Sequence, residues 1–202
     1  MKESLYLIGN NQSDKSRKQS DKAYVMRLLA EHCMPVLLCV KPANTITIYK
    51  RKIENQFALL EYFHGVITSF DCELSILYEN ERMLFLILYQ PSQLAELLNH
   101  YENRRFLSEY GYCLDGDLVN NTLNCLSQRY QDYREKRTEF PHEIGIILGY
   151  PIEDVIGFIK NRGKNYRFQG YWKVYGDVEN AKKYFNQIHF AKEQGRKIFD
   201  VP

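Results

Sequence analysis

The alternation of apolar and polar positions divides the chain into several short helices and a few extended runs. From Ala23 to Cys33 the apolar residues Val25, Leu28 and Leu29 recur at helical spacing, which predicts a helix capped by Asp21 and stopped by Pro35. Val36 to Val40 is apolar throughout and short, the pattern of a buried strand. Lys41-Pro42-Ala43-Asn44 reads as a turn, and Thr45 to Tyr49, rich in β-branched residues, as a second extended piece. Ile53 to Phe63 predicts a helix that buries Phe57, Leu59 and Leu60 and ends at Gly65. Cys72 to Tyr78 and Met83 to Tyr89 form a hairpin across Glu79-Asn80-Glu81-Arg82, and the almost wholly apolar second run belongs in the middle of a sheet. Three helices follow: Pro91 to His100, Glu102 to Tyr110, and Leu118 to Arg137 with Leu123, Leu126 and Tyr130 on one face. A last helix runs from Val178 to Glu193 behind the cap Asp177. A hairpin with separate helices, rather than regular strand–helix alternation, predicts an α+β fold. The expectation is a single domain over 22–202, with a mostly antiparallel or mixed sheet flanked by helices and a mobile polar and basic arm over 1–21.

The most specific stretch is Phe140 to Asp177, FPHEIGIILGYPIEDVIGFIKNRGKNYRFQGYWKVYGD. Pro141 and Pro151 suit the first position of two successive helices, where a missing N–H costs nothing. Glu143 and Glu153 then fall in first turns, near the positive end of each helix dipole. Gly149 stops the first helix, so 141–162 reads as a tight helix–turn–helix corner. Tyr166 to Tyr175 follows as one aromatic strand, weakened in its middle by Gly170.

The pattern FPHEIGxxLGYPxEDVxGFI followed by GYWKVYGD resembles the hallmark of an uncharacterised bacterial family, a domain of unknown function found mainly in anaerobic Gram-positive bacteria. His32-Cys33-Met34-Pro35 and Lys41-Pro42-Ala43-Asn44 are similar to that family's upstream signature, and the likeness extends from about His32 to the C-terminal helix. The resemblance implies a cytosolic bacterial protein and brings no activity with it. It also implies a small residue where Cys39 stands, which speaks against Cys39 as an essential ligand.

Composition narrows the function classes. A net charge of +2 is too small to indicate a nucleic-acid partner by itself. No apolar run approaches membrane-spanning length, and the N-terminus lacks the apolar core of a signal peptide. The five scattered cysteines therefore read as reduced thiols in a cytoplasmic protein.

No complete catalytic set is visible. His142-Glu143 invites comparison with the zinc-binding HExxH, but the second histidine is replaced by Ile146, and no cysteine spacing completes a metal site. His142 at a helix start is expected to stay neutral. Cations near turns (Lys41, Lys164, Arg167, Lys173) and the rings of Tyr166, Tyr171, Trp172 and Tyr175 are suited to a flat anionic ligand. The candidate ligand-binding residues are His142, Glu143, Lys41, Asn44, Trp172, Lys173, Tyr175 and Cys33, with no metal and no cofactor indicated. The favoured function is binding of a small anionic or aromatic ligand between the corner and the Trp172 strand. One alternative is an enzyme using His142 or Cys33 as acid, base or nucleophile. The other is a helix–turn–helix DNA reader, suggested by the spacing of Gly145, Gly149 and Val155. Glu153 and Asp154 argue against it, because they would meet phosphate.

Overall fold

The computed structural model describes residues 21–199, so the expected arm lies outside the described residues up to residue 20. The first helix, α1, spans 21–37. The bonds of the Asp21 carboxylate run outside α1: it accepts the backbone N–H groups of Glu54 and Asn55, fastening α1 to the start of the next helix. Pro35 does not stop α1. The N–H of Met34 bonds five residues back to the carbonyl of Leu29, so the chain is π-wound over Leu29–Cys33. Pro35 then falls in the first turn of a fresh α segment, Met34–Leu37, where its missing donor is harmless. The apolar run Val36 to Val40 is consequently a helix end and a turn rather than a strand. Cys39 takes a left-handed φ of 56°, and the N–H groups of Val40 and Lys41 both return to the carbonyl of Pro35.

Strand β1, Ala43–Tyr49, begins two residues earlier than its β-branched core suggested. Helix α2 runs Gln56–Ile67 behind the cap Asn55, whose side chain accepts from Ala58. That start rotates the buried face onto Leu59, Phe63 and Ile67, leaves Phe57 77% exposed, and carries the helix through Gly65. Strands β2, Glu73–Glu79, and β3, Met83–Tyr89, form the expected hairpin. The order is β1-β3-β2, antiparallel throughout, so β3 is central. Its side chains alternate between two cores. Leu84, Leu86 and Leu88 join α1 and α2, while Phe85, Ile87 and Tyr89 join the helices that follow. These are α3 (Pro91–Asn99), α4 (Tyr101–Glu109) and α5 (Leu118–Arg134). The result is an α+β domain, as the pattern of elements implied.

The corner is made of α6, Ile144–Ile147, and α7, Ile152–Lys160. Gly149 has φ 77° between them. The N–H of Gly149 bonds the carbonyl of Ile146 and that of Tyr150 bonds the carbonyl of Gly145, the paired closure of a helix end that needs a left-handed residue. A Cβ on Gly149 would lie 2.6 Å from the Pro42 ring, so this position is closed sterically as well. Pro151 stands at the cap position of α7 rather than inside its first turn.

Tyr166 to Tyr175 is not one strand. It folds as a small hairpin of β4, Phe168–Gln169, and β5, Lys173–Val174, with Gly170 in the turn. The Phe185 ring occupies the space of a Gly170 side chain, 2.2 Å from where a Cβ would be. Phe185 belongs to α8, Val178–Ile198, which is capped by Asp177 and packs with Trp172 and Val174 in a third apolar cluster. Among the described residues no helix is long and apolar enough to cross a membrane.

Candidate functional site

Where the corner meets the β4–β5 hairpin there is a cleft of about 310 Å³. Phe140, Tyr150 and Phe158 wall it from the corner, and Tyr171 and Trp172 from the hairpin. His142 and Lys173 supply its basic groups. Trp172 and Lys173 would face opposite ways on a regular strand; both reach the cleft because Trp172 belongs to the turn and Lys173 opens β5.

The His142 ring is held between Phe140 and Phe158, at centroid distances of 5.1 and 4.9 Å. Neither ring nitrogen has a hydrogen-bond partner among the described residues. Burial among these rings lowers its pKa below the usual histidine value, against the pull of Glu143 and Glu139. The imidazole is thus neutral at pH 7 with one donor and one acceptor to offer. Burial, not the helix start, is the leading cause. Lys173 donates to the carbonyl of Gly163 at 2.7 Å and lies 4.9 Å from the Tyr166 ring centroid, which leaves further ammonium protons for another acceptor.

The two carboxylates of the corner are turned inward. Glu143 is 1% exposed and accepts from Arg129 at 2.5 Å and from the Tyr112 hydroxyl at 3.2 Å, tying the corner to α5 and the loop before it. It forms part of the frame and does not line the cleft. Asp154, buried, accepts Trp172 Nε1 at 2.7 Å and the backbone N–H groups of Tyr175 and Gly176 at 2.7 and 2.8 Å. One carboxylate therefore orients the indole and seals the end of the hairpin. In the sequence alone Asp154 has no structural partner and weighs only as a charge that would repel DNA phosphate. The available signal was a tryptophan whose N–H would need a buried acceptor, with an acid placed at the edge of the apolar stripe of α7.

The remaining candidates are distributed around this frame. Lys41 is only 5% exposed; its ammonium donates to Asn44 Oδ1 at 3.0 Å and sits 5.3 Å from the Tyr150 ring centroid. Tyr150 in turn stacks on Trp172 at 4.7 Å, so Lys41 and Asn44 back the cleft wall instead of lining it. Asn44 also donates to the His32 carbonyl at 2.7 Å, within the π-wound turn of α1. Burial and the neighbouring Lys192 lower the Lys41 pKa to about 8. Tyr175 gives its N–H to Asp154 and its hydroxyl is buried without a partner, away from the cleft. Cys33 is fully buried between α1 and the sheet; its thiol donates to the Leu28 carbonyl and burial raises its pKa well above the ordinary thiol value. It has neither the exposure nor the thiolate character of a nucleophile. The structure thus brings His142, Trp172 and Lys173 together, sets Lys41 and Asn44 one ring behind them, and places Glu143, Tyr175 and Cys33 in the frame.

These features define an α+β domain with an aromatic cleft beside a helix–turn–helix corner. The chain belongs to the family described as "Protein of unknown function (DUF3793)", whose model matches residues 29–201. No curated protein and no solved structure matches it.

Proposed function

We propose that this protein binds a small planar ligand, carrying an anionic or hydrogen-bonding group, in the cleft between the corner and the β4–β5 hairpin. The observation that carries this reading is the His142 imidazole, unpaired at both nitrogens and opening onto aromatic walls beside Lys173. Apolar walls with a few unsatisfied polar groups are the usual makeup of a small-molecule site. The same neutral imidazole favours a second reading, in which His142 moves a proton on the bound molecule. A DNA-reading role gains no support from the corner: α6 is a single turn whose four residues are all buried. We place the protein in a reducing cytoplasm, where its five free thiols would persist.

Mass spectrometry of small molecules released from natively purified protein tests the reading. The wild type is expected to carry a planar compound that His142→Ala loses while keeping its melting temperature. A wild type that carries nothing, or a variant that retains the same compound at the same occupancy, overturns it.

A further inference from the structure

A second hollow lies at the other end of β1, about 20 Å along the strand from the corner. It encloses about 660 Å³ beside Tyr49, between a short 3₁₀ turn, Lys50–Lys52, and the β2–β3 hairpin turn. The two turns are held together, since the N–H of Lys50 bonds the carbonyl of Arg82 at 2.9 Å. Asn80 fixes the hairpin turn by accepting from the N–H groups of Arg82 and Met83.

Three arginines line this hollow, Arg51, Arg82 and Arg134, and none has a carboxylate partner among the described residues. Two are positioned by rings instead. The Arg134 guanidinium lies 5.0 Å from the Tyr78 centroid, and that of Arg51 lies 6.0 Å from the Tyr49 centroid. Ring contacts orient a guanidinium without using up its N–H groups; Arg134 spends one of its own on Met83 Sδ at 3.7 Å and keeps the others. Lys50 also lines the hollow but is neutralised by Glu79 at 2.5 Å. Glu81 is the one carboxylate among the lining residues, so the local balance stays positive in a chain with a net charge of only +2.

We propose that this hollow binds a ligand bearing two or more adjacent phosphates. Three guanidiniums lining one space match a run of phosphate oxygens better than a single small anion. The phosphates would come either from a free oligophosphate or nucleotide, or from the backbone of a single-stranded nucleic acid.

Calorimetric titration with tripolyphosphate, with ATP and with a short single-stranded oligouridylate tests this and separates the sources. Binding of tripolyphosphate or ATP assigns a free ligand; binding of the oligonucleotide alone assigns a nucleic-acid backbone. In either case Arg82→Gln with Arg134→Gln should weaken binding by roughly tenfold or more. Glu81→Gln should strengthen it, because it removes the one opposing charge. Added salt should weaken it, and Trp172 emission should not change, since that ring lies in the other cleft. Should the double variant fail to fold, Arg51→Gln alone, at an exposed position, should still weaken binding by about threefold. The proposal is overturned if no probe binds at about 1 mM, if affinity is unchanged in the folded arginine variants, or if Glu81→Gln weakens binding.

Discussion

The two sides of the corner differ in how their polar groups are met. Each buried carboxylate of the corner is matched: Glu143, away from the cleft, by Arg129 and Tyr112, and Asp154, at the cleft's edge, by three N–H groups. On the side facing the cleft, the His142 ring nitrogens are unmatched, and Lys173 holds one acceptor for three protons. Buried charged groups in a frame are paired because leaving them unpaired costs stability, and the neutral Tyr175 hydroxyl is an exception. Groups left unpaired on a concave aromatic surface cost less, being partly hydrated, and remain available to a ligand. The contrast separates residues that build the corner from residues that the corner presents.

The largest effect is expected where the frame is closed sterically. Gly149→Val forces a β-branched residue into a left-handed φ and against Pro42, and should destabilise the fold by about 4 kcal/mol, read as a lowered midpoint in urea. Asp154→Ala comes next. It strands the Trp172 indole N–H and two backbone donors, and should cost about 3 kcal/mol with a shift of Trp172 emission. A wild-type midpoint in either variant would erase the distinction between frame and presented surface.

Lys41 sharpens the comparison because it is a frame residue with an incomplete set of partners. Among the described residues its buried ammonium has one acceptor and no carboxylate, so Lys41→Met should be neutral or stabilising by up to about 1 kcal/mol at pH 7. The sign with pH follows from its lowered pKa. The unfolded chain binds the proton more tightly than the folded one, so the wild type loses stability as pH falls from 10.5 to about 8 and levels off below that. The gap between variant and wild type should therefore widen over that window and then hold steady. A gap that narrows as pH falls would show that Lys41 has an anionic partner in the folded state.

Much of the frame was legible in the sequence, for identifiable reasons. The β2–β3 hairpin, the central place of β3, and α3, α5 and α8 follow from strong periodicity and unambiguous caps such as Asp177. Two of the misread elements share a cause: a local signal was overruled by a contact distant in sequence. Pro35 stops a helix unless a π turn precedes it, and that turn lies where α8 packs on α1, with Gly195 closest to Met34. Gly170 weakens a strand unless Phe185 needs its space, in which case it makes the turn of a hairpin. Phe57 lost its place in the core because Asn55 sets the helix start. At the site, His142, Trp172 and Lys173 line one cleft, and all three lie in one short, heavily punctuated stretch. Asp154 and the Lys41–Tyr150–Trp172 stack were not legible, because their partners are set by how the hairpin folds back on α7.

The smallest perturbation is also the most direct probe. Trp172 is the only tryptophan, it lines the cleft, and its ring stacks on Tyr150. Its emission can be followed while the compound released from the native protein is titrated back into ligand-free protein. The account predicts saturable quenching or a spectral shift, lost in His142→Ala although that variant unfolds at the wild-type temperature. Binding that leaves Trp172 emission unchanged, or that survives the removal of His142 at full affinity, would contradict it.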